Sequence, residues 1–153
     1  MEQFKIDHFK NEYPQKEFPR FQSLDNENLE IVRMNVANAF KMPPHLGSLE
    51  FAKQIDSKME HIEGKNAANE SFNLQAILSE KNITPLTNVY INWYRFDNVD
   101  LISFEALSEY FSNIWYPSAD DIEIFDESMD WFLAIRHDGA VSLFTQQSPS
   151  ASK

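Results

Sequence analysis

Six carboxylates, Asp120, Asp121, Glu123, Asp126, Glu127 and Asp130, fall within the eleven residues DDIEIFDESMD with no Lys or Arg among them. Side chains of this type and density ligate hard cations, form acid/base pairs, or hold a positively charged partner. A calcium loop of the helix–loop–helix kind needs oxygen ligands at set positions and a Gly at its sharp turn, and this run has neither the spacing nor the Gly. A metal site would require Asp120, Asp121, Glu123 and Asp126 to converge by folding, because two-His-one-carboxylate patterns lack their histidines here. A catalytic carboxylate pair needs two acids in different environments facing a cleft. The alternating stretch DIEIF instead predicts Asp121 and Glu123 side by side on an outward, solvated face, with Ile122 and Ile124 on the other.

The remaining reactive groups carry no catalytic pattern. His137-Asp138 resembles the paired residues of metal-dependent hydrolases, yet His8, His45 and His61 stand at no helical spacing that would complete such a site. Asp138 is expected to form a turn and His137 to close a hairpin. Ser103, Ser118 and Ser128 lack a nucleophile-elbow context, and no glycine loop for phosphate is present. The absence of Cys removes disulfides, thiolate metal sites and Cys nucleophiles. The expectation is a protein without cofactor, metal or catalysis. A small acidic enzyme, the competing reading, would need a pocket in which at least two of these acids have raised pKa values.

Charge and aromatic content leave two uses of the carboxylates side by side, an acidic rim that serves only solubility and a surface that holds a basic partner. The net charge of −11 is concentrated in residues 96–135, which hold ten acids and no Lys or Arg. Such a field repels phosphate backbones and attracts a basic partner, speeding its association. Trp93, Tyr94, Trp115, Tyr116 and Trp131 read most simply as core and core-edge residues. Trp115 and Tyr116, however, lie directly before the acidic run, and aromatic rings beside desolvated charge make binding hot spots. The expected partner-binding surface therefore comprises Trp115, Tyr116, Asp120, Asp121, Glu123, Asp126, Glu127 and Asp130.

Positioning these residues falls to a helical N-terminal half and an extended C-terminal half. The first 22 residues, broken by Pro14 and Pro19, predict a short helix or an irregular arm. Asp25 as N-cap, with Leu29, Val32, Val36, Ala39 and Phe40 at three- and four-residue steps, predicts a helix stopped by the prolines of MPPH. Ser48 opens a second, with Leu49, Ala52, Ile55 and Met59 on one face and Gly64 as its stop, followed by a loop at 64–71 and a third helix over 71–81. VYINWYRF at 89–96 predicts a strand, and Ser103 opens a helix that ends at Pro117. Strands are expected at 121–126, 131–137 and 140–145.

Asp138-Gly139 suits a two-residue type I′ turn, which needs positive φ at both central positions. That turn would place His137 opposite Ala140, Ile135 opposite Ser142 and Leu133 opposite Phe144. Trp131, Leu133, Ile135 and Phe144 would then share one face and Phe132, Ala134, Val141 and Leu143 the other. Both faces are apolar, so the hairpin should be central and covered on both sides. The expected fold class is α+β, with N-terminal helices packed on a small, mainly antiparallel C-terminal sheet, a single domain over 1–145 and a polar, disordered tail over 146–153. The N-terminus shows no signal-peptide pattern, and no stretch approaches the roughly 20 apolar residues of a membrane span, so a soluble, cytoplasmic protein is expected.

VYINWYRFD followed by IWYPSADDIEIFDESMDWFLAIRHDGAVSLF is similar to a group of small bacterial proteins that includes immunity proteins of contact-dependent and other polymorphic toxin systems. The resemblance covers about residues 85–145 and rests on this overall pattern, without a catalytic motif. It implies a cytoplasmic protein that binds and neutralises one cognate toxin domain, commonly a basic nuclease, and it carries no inhibitory motif residue by residue. A binding or regulatory module for a different partner is the alternative.

Overall fold

The computed structural model describes residues 1–146. The chain runs α1 (Gln3–Glu12), β1 (Phe21–Ser23), α2 (Asn26–Phe40), α3 (Ser48–Lys58), β2 (Glu60–Asn66), α4 (Leu74–Glu80), β3 (Asn88–Asn92), β4 (Val99–Ser103), α5 (Phe104–Glu109), α6 (Phe111–Ile114), β5 (Ile122–Phe125), β6 (Trp131–Ile135) and β7 (Ala140–Thr145). The helix starts follow capping chemistry: Asp25, Asn73 and Ser103 each accept a hydrogen bond from the backbone N–H three residues on. The seven strands form one sheet in the order β1-β4-β3-β5-β6-β7-β2, antiparallel at every pairing. This is the expected α+β fold with helices preceding the main strands.

The helices cover both faces of the sheet. On one face Ile91, Ile124, Leu133 and Val141 pack with Leu74 and Ile77 of α4, Leu107 of α5 and Ile114 of α6. On the other, Phe125, Phe132 and Phe144 pack with Val36 and Phe40 of α2 and Phe51 and Ile55 of α3. The alternation of β5 and β6 sorts their side chains between two cores, which explains why both strands are buried at every position.

Both edge strands come from the N-terminal half, where the residue pattern predicts none. β1 lies in the arm, and β2 occupies EHIEGKN, expected as a helix end and loop. Its residues have low strand propensity; it extends because it pairs with β7, through a register irregularity between His61 and Asn66. The expected long helix from Ser103 is divided at Tyr110 into α5 and α6.

The β6–β7 hairpin is offset by one residue from the expected register. Ile135 faces Val141, Leu133 faces Leu143 and Phe132 faces Phe144. Gly139 N–H donates to Arg136 O at 2.7 Å and Arg136 N–H to Ala140 O at 3.0 Å, so the loop holds His137, Asp138 and Gly139. Gly139 has φ +90, whereas Asp138 is not among the positive-φ residues, so the turn is the three-residue kind with glycine in the left-handed position. The shift moves Phe144 to the face of Phe132 and puts Val141 and Leu143 with Leu133 and Ile135. A Cβ at Gly139 would collide with the Asn66 side chain, which is tied to Ala68 N–H. Gly139→Ala is thus expected to cost about 1–3 kcal/mol in urea unfolding, and removing the Asn66 side chain as well recovers only the steric part.

Gln146, expected to open the tail, is anchored: its N–H donates to Asp130 O at 2.9 Å and its side-chain amide to Met129 O at 2.6 Å. The rest of the expected tail, 147–153, lies outside the described residues.

Candidate functional site

The acidic run does not form one surface. Asp120, Glu123 and Asp126 are buried, as is Trp115, while Glu127 and Asp130 are exposed and Asp121 and Tyr116 half-buried. Asp121 precedes the four-residue strand β5 and Glu127 follows it, so the exposed acids stand about 13 Å or more apart at opposite ends of the sheet. The expectation that all eight residues present themselves to a partner is corrected accordingly. Glu123 lies on the face of Phe125, which α2 and α3 cover, and Phe125 two residues on is the signal that this face is apolar; Asp121 stands ahead of β5, half-buried beside His137. Among the described residues no three His, Asp or Glu side chains gather as metal ligands would.

Each buried acid organises a separate junction. Asp120 accepts from Lys5 Nζ at 2.6 Å and from Tyr116 N–H at 2.8 Å, and Lys5 also donates to Ile114 O at 2.8 Å while lying 4.1 Å from the centre of the Trp93 ring. Asp126 accepts from Leu86 N–H at 3.0 Å, Trp131 Nε1 at 2.9 Å, and the main chain and hydroxyl of Ser128. Trp115, read as a possible contact residue, instead donates Nε1–H to Asp120 O at 2.9 Å inside the core. A fourth buried acid, Asp100, accepts from Ser23 Oγ, Trp93 Nε1 and the amino nitrogen of Met1, joining β1, β4 and the chain start.

Glu123 is held by Asn92 Nδ2 at 2.6 Å and by Arg136, which also bonds Asp56 on α3. Burial raises the Glu123 carboxyl to about 7 against an ordinary 4.5, while the Arg136 and Asn92 contacts pull it down. Glu123 and Asp56 together raise the Arg136 guanidinium. The cation gains from the pair while the enclosed acid loses more to desolvation, and burial sets the direction for Glu123.

A carboxyl raised on folding contributes stability that is complete below its unfolded value near 4.5 and is lost as pH climbs through about 7. The expected loss across that window is on the order of 3 kcal/mol. Urea unfolding of the protein and of Glu123→Gln between pH 5 and 8 measures it: as pH falls, the protein should gain that stability relative to the variant. Parallel curves would show that Glu123 keeps an ordinary pKa. Glu123 is 1% exposed and so acts as a structural group, unlike the paired pocket acids an enzyme would need.

The rim at the Asp121 end is shaped by strained connections. In the β3–β4 loop, Arg95 N–H donates to Trp93 O at 3.2 Å, closing a γ-turn around Tyr94 at φ 79, and Phe96 follows at φ 56. Bulky residues seldom adopt such angles, and here the surroundings impose them: Phe96 is wedged against Phe51 and Phe125, and its N–H is taken by Asn92 Oδ1 at 2.9 Å. Ser118 at φ 70 donates its N–H to His137 O at 2.7 Å, and Asp121 accepts from both the main chain and ring of His137.

Between these loops lies a hollow of about 370 Å³ lined by Trp93, Tyr94, Asp97, Asp120, Asp121 and Glu2, together with Met1, Asn98 and Ala119. The only signals for it in the residue pattern were Trp93-Tyr94 and the acids on either side; their meeting depends on the sheet. The same rim already holds three cations of the chain itself: Lys5 over Trp93, the Met1 amino group on Asp100, and Arg136 5.2 Å from the centre of the Tyr94 ring. Neither a protein-family model, a curated protein nor a solved structure matches this chain.

Proposed function

We propose that this protein binds a basic protein partner stoichiometrically, without catalysing a reaction, in the manner of a cytoplasmic immunity protein that neutralises a toxin domain. The observation that carries the reading is the aromatic and acidic hollow at Trp93, Tyr94, Asp97 and Asp121. A Lys or Arg side chain entering it meets exposed Asp97 and the half-buried rings of Trp93 and Tyr94 beside the chain's own Lys5 and Arg136, which combines charge-assisted hydrogen bonding with cation–π attraction. Strained backbone at Tyr94 and Phe96 keeps the aromatic wall in place before the partner arrives, so little ordering cost falls on binding. The exposed acids of residues 96–135, Asp97, Glu105, Glu109, Glu127 and Asp130, with half-buried Asp121, supply the long-range field that brings a basic partner, such as a nuclease domain, to the rim.

Capture from the native organism with purified protein as bait tests this. At low salt a basic partner in one-to-one ratio is expected, released as salt rises. Charge reversal at exposed Asp97 should lower its association rate about ten-fold, while reversal of Glu127 and Asp130 at the far end of the sheet should change it little. Equal effects at the two ends, or a partner indifferent to salt, would return the rim acids to a solubilising role.

A further inference from the structure

Two adjoining hollows run along α5 on the α4–α6 face of the protein. The larger, about 720 Å³, is lined by residues that include Phe72, Leu86, Phe104, Glu105 and Glu109. The smaller, about 440 Å³, continues past Glu70 and Phe111 to Trp115 and Pro117. They share Phe72, Ser108 and Glu109, so together they form one groove with Ser108 at its waist.

The lining mixes polar side chains such as Asn73, Gln75 and Ser112 with an apolar strip in which Phe72 and Phe111 stand 5.1 Å apart between ring centres and Leu86 is left 48% exposed. The walls are acidic on both sides: Glu105 and Glu109, one helical turn apart on α5, face the connection that carries Glu70, and all three are exposed. No Lys, Arg or His lines either hollow. Lys16, the nearest cation identified beside Glu109, is engaged with the Tyr110 hydroxyl and ring. Ser108 Oγ is the one buried side-chain oxygen or nitrogen without a hydrogen-bond partner among the described residues.

We infer that this groove is a second binding surface, separate from the rim, that takes an amphipathic basic segment of another protein, its apolar residues on Phe72, Leu86 and Phe104 and its Lys or Arg side chains against Glu70, Glu105 and Glu109. The occupant follows from charge complementarity and from the shape. A trough that offers both Phe72, Leu86 and Phe104 and polar side chains suits an amphipathic segment, and acids on both walls with no Lys, Arg or His in the lining select a positive one. The inference does not depend on the rim, since no residue of the groove lines the Trp93–Asp121 hollow.

The test uses a synthetic Leu/Lys peptide of about four helical turns, with Leu at helical spacing on one face, titrated into the full chain by calorimetry and by amide chemical-shift mapping. Saturable one-to-one binding, with shifts centred on residues 70–75, 85–87 and 103–112, is expected. Glu105→Gln with Glu109→Gln should weaken it about ten-fold, Ser108→Trp should abolish it by filling the waist, and Glu30→Lys on α2, across the sheet, should leave it unchanged. The two Glu variants lie on the exposed surface, so they test the groove even if Ser108→Trp impairs folding. No binding, shifts spread over the acidic surface, binding insensitive to the double Gln variant, comparable weakening by Glu30→Lys, or equal binding by a Lys homopolymer would overturn the inference.

Discussion

Lys5→Met is expected to destabilise the protein by about 3–5 kcal/mol, because it leaves the Asp120 carboxylate buried without its cation. Lys5 has no measurable exposure, and its Nζ is surrounded by Asp120, Ile114 O and the rings of Trp93 and Tyr116. The loss would also release α1, since this ammonium ties the first helix to the α6–β5 connection 115 residues away. Denaturant unfolding monitored by Trp fluorescence measures it. Lys5→Met combined with Asp120→Asn should recover a substantial part, since the amide oxygen still accepts from Tyr116 N–H while the stranded charge is gone. A cost below about 1 kcal/mol for the single variant would mean that Lys5 reaches solvent, as exposed pairs contribute little.

Asp126→Ala is the second large effect expected, about 4 kcal/mol. One carboxylate 1% exposed receives the main-chain N–H groups of Leu86 and Ser128, the Ser128 hydroxyl and the Trp131 indole. Hydrogen bonds to charged groups contribute roughly 1.5–3 kcal/mol each, and the Trp131 and Leu86 donors would be left buried or half-buried without an acceptor. The substitution should also loosen the β5–β6 turn, where Met129 holds φ 58. Faster amide exchange at residues 126–131, with the rim at Trp93 to Asp97 unaffected, would separate this local role from general unfolding. If Glu127→Ala were to cost as much, the distinction between the structural and surface acids of the run would collapse.

These two variants mark the boundary between what was legible in the residues and what was not. Local rules worked where the chain's own neighbours supply the energy. The Asp25 and Ser103 caps, the apolar spacing of α2 and the strands β5, β6 and β7 stand where their sequences indicate, whereas the strand expected over 89–96 ends at Asn92 and gives way to a loop and to β4, which was not expected. Caps and periodicity act within a few residues, so sequence carries them directly. The hairpin was found but misregistered, because Asp138-Gly139 suits both a two-residue turn and a three-residue turn with only the glycine at positive φ, and the pairing of β7 with β2 and the Asn66 contact favour the latter.

The site was less legible, for a related reason. An acid's role depends on whether a donor from elsewhere in the chain meets it, and here the donors are remote: Lys5 for Asp120, Asn92 and Arg136 for Glu123, Leu86 for Asp126. The composition and order of the amino acids by themselves determined the fold class, the acidic field and the apolar strands that carry the core. Only the tertiary structure decided which acids are structural and which face outward, because desolvation is a property of the packed sheet and its two helical layers and leaves no mark in local pattern. It also decided that Trp93 and Tyr94, rather than Trp115, stand with Asp97 and Asp121 at the rim, since the antiparallel order of β3, β4 and β5 brings those loops to one end of the sheet.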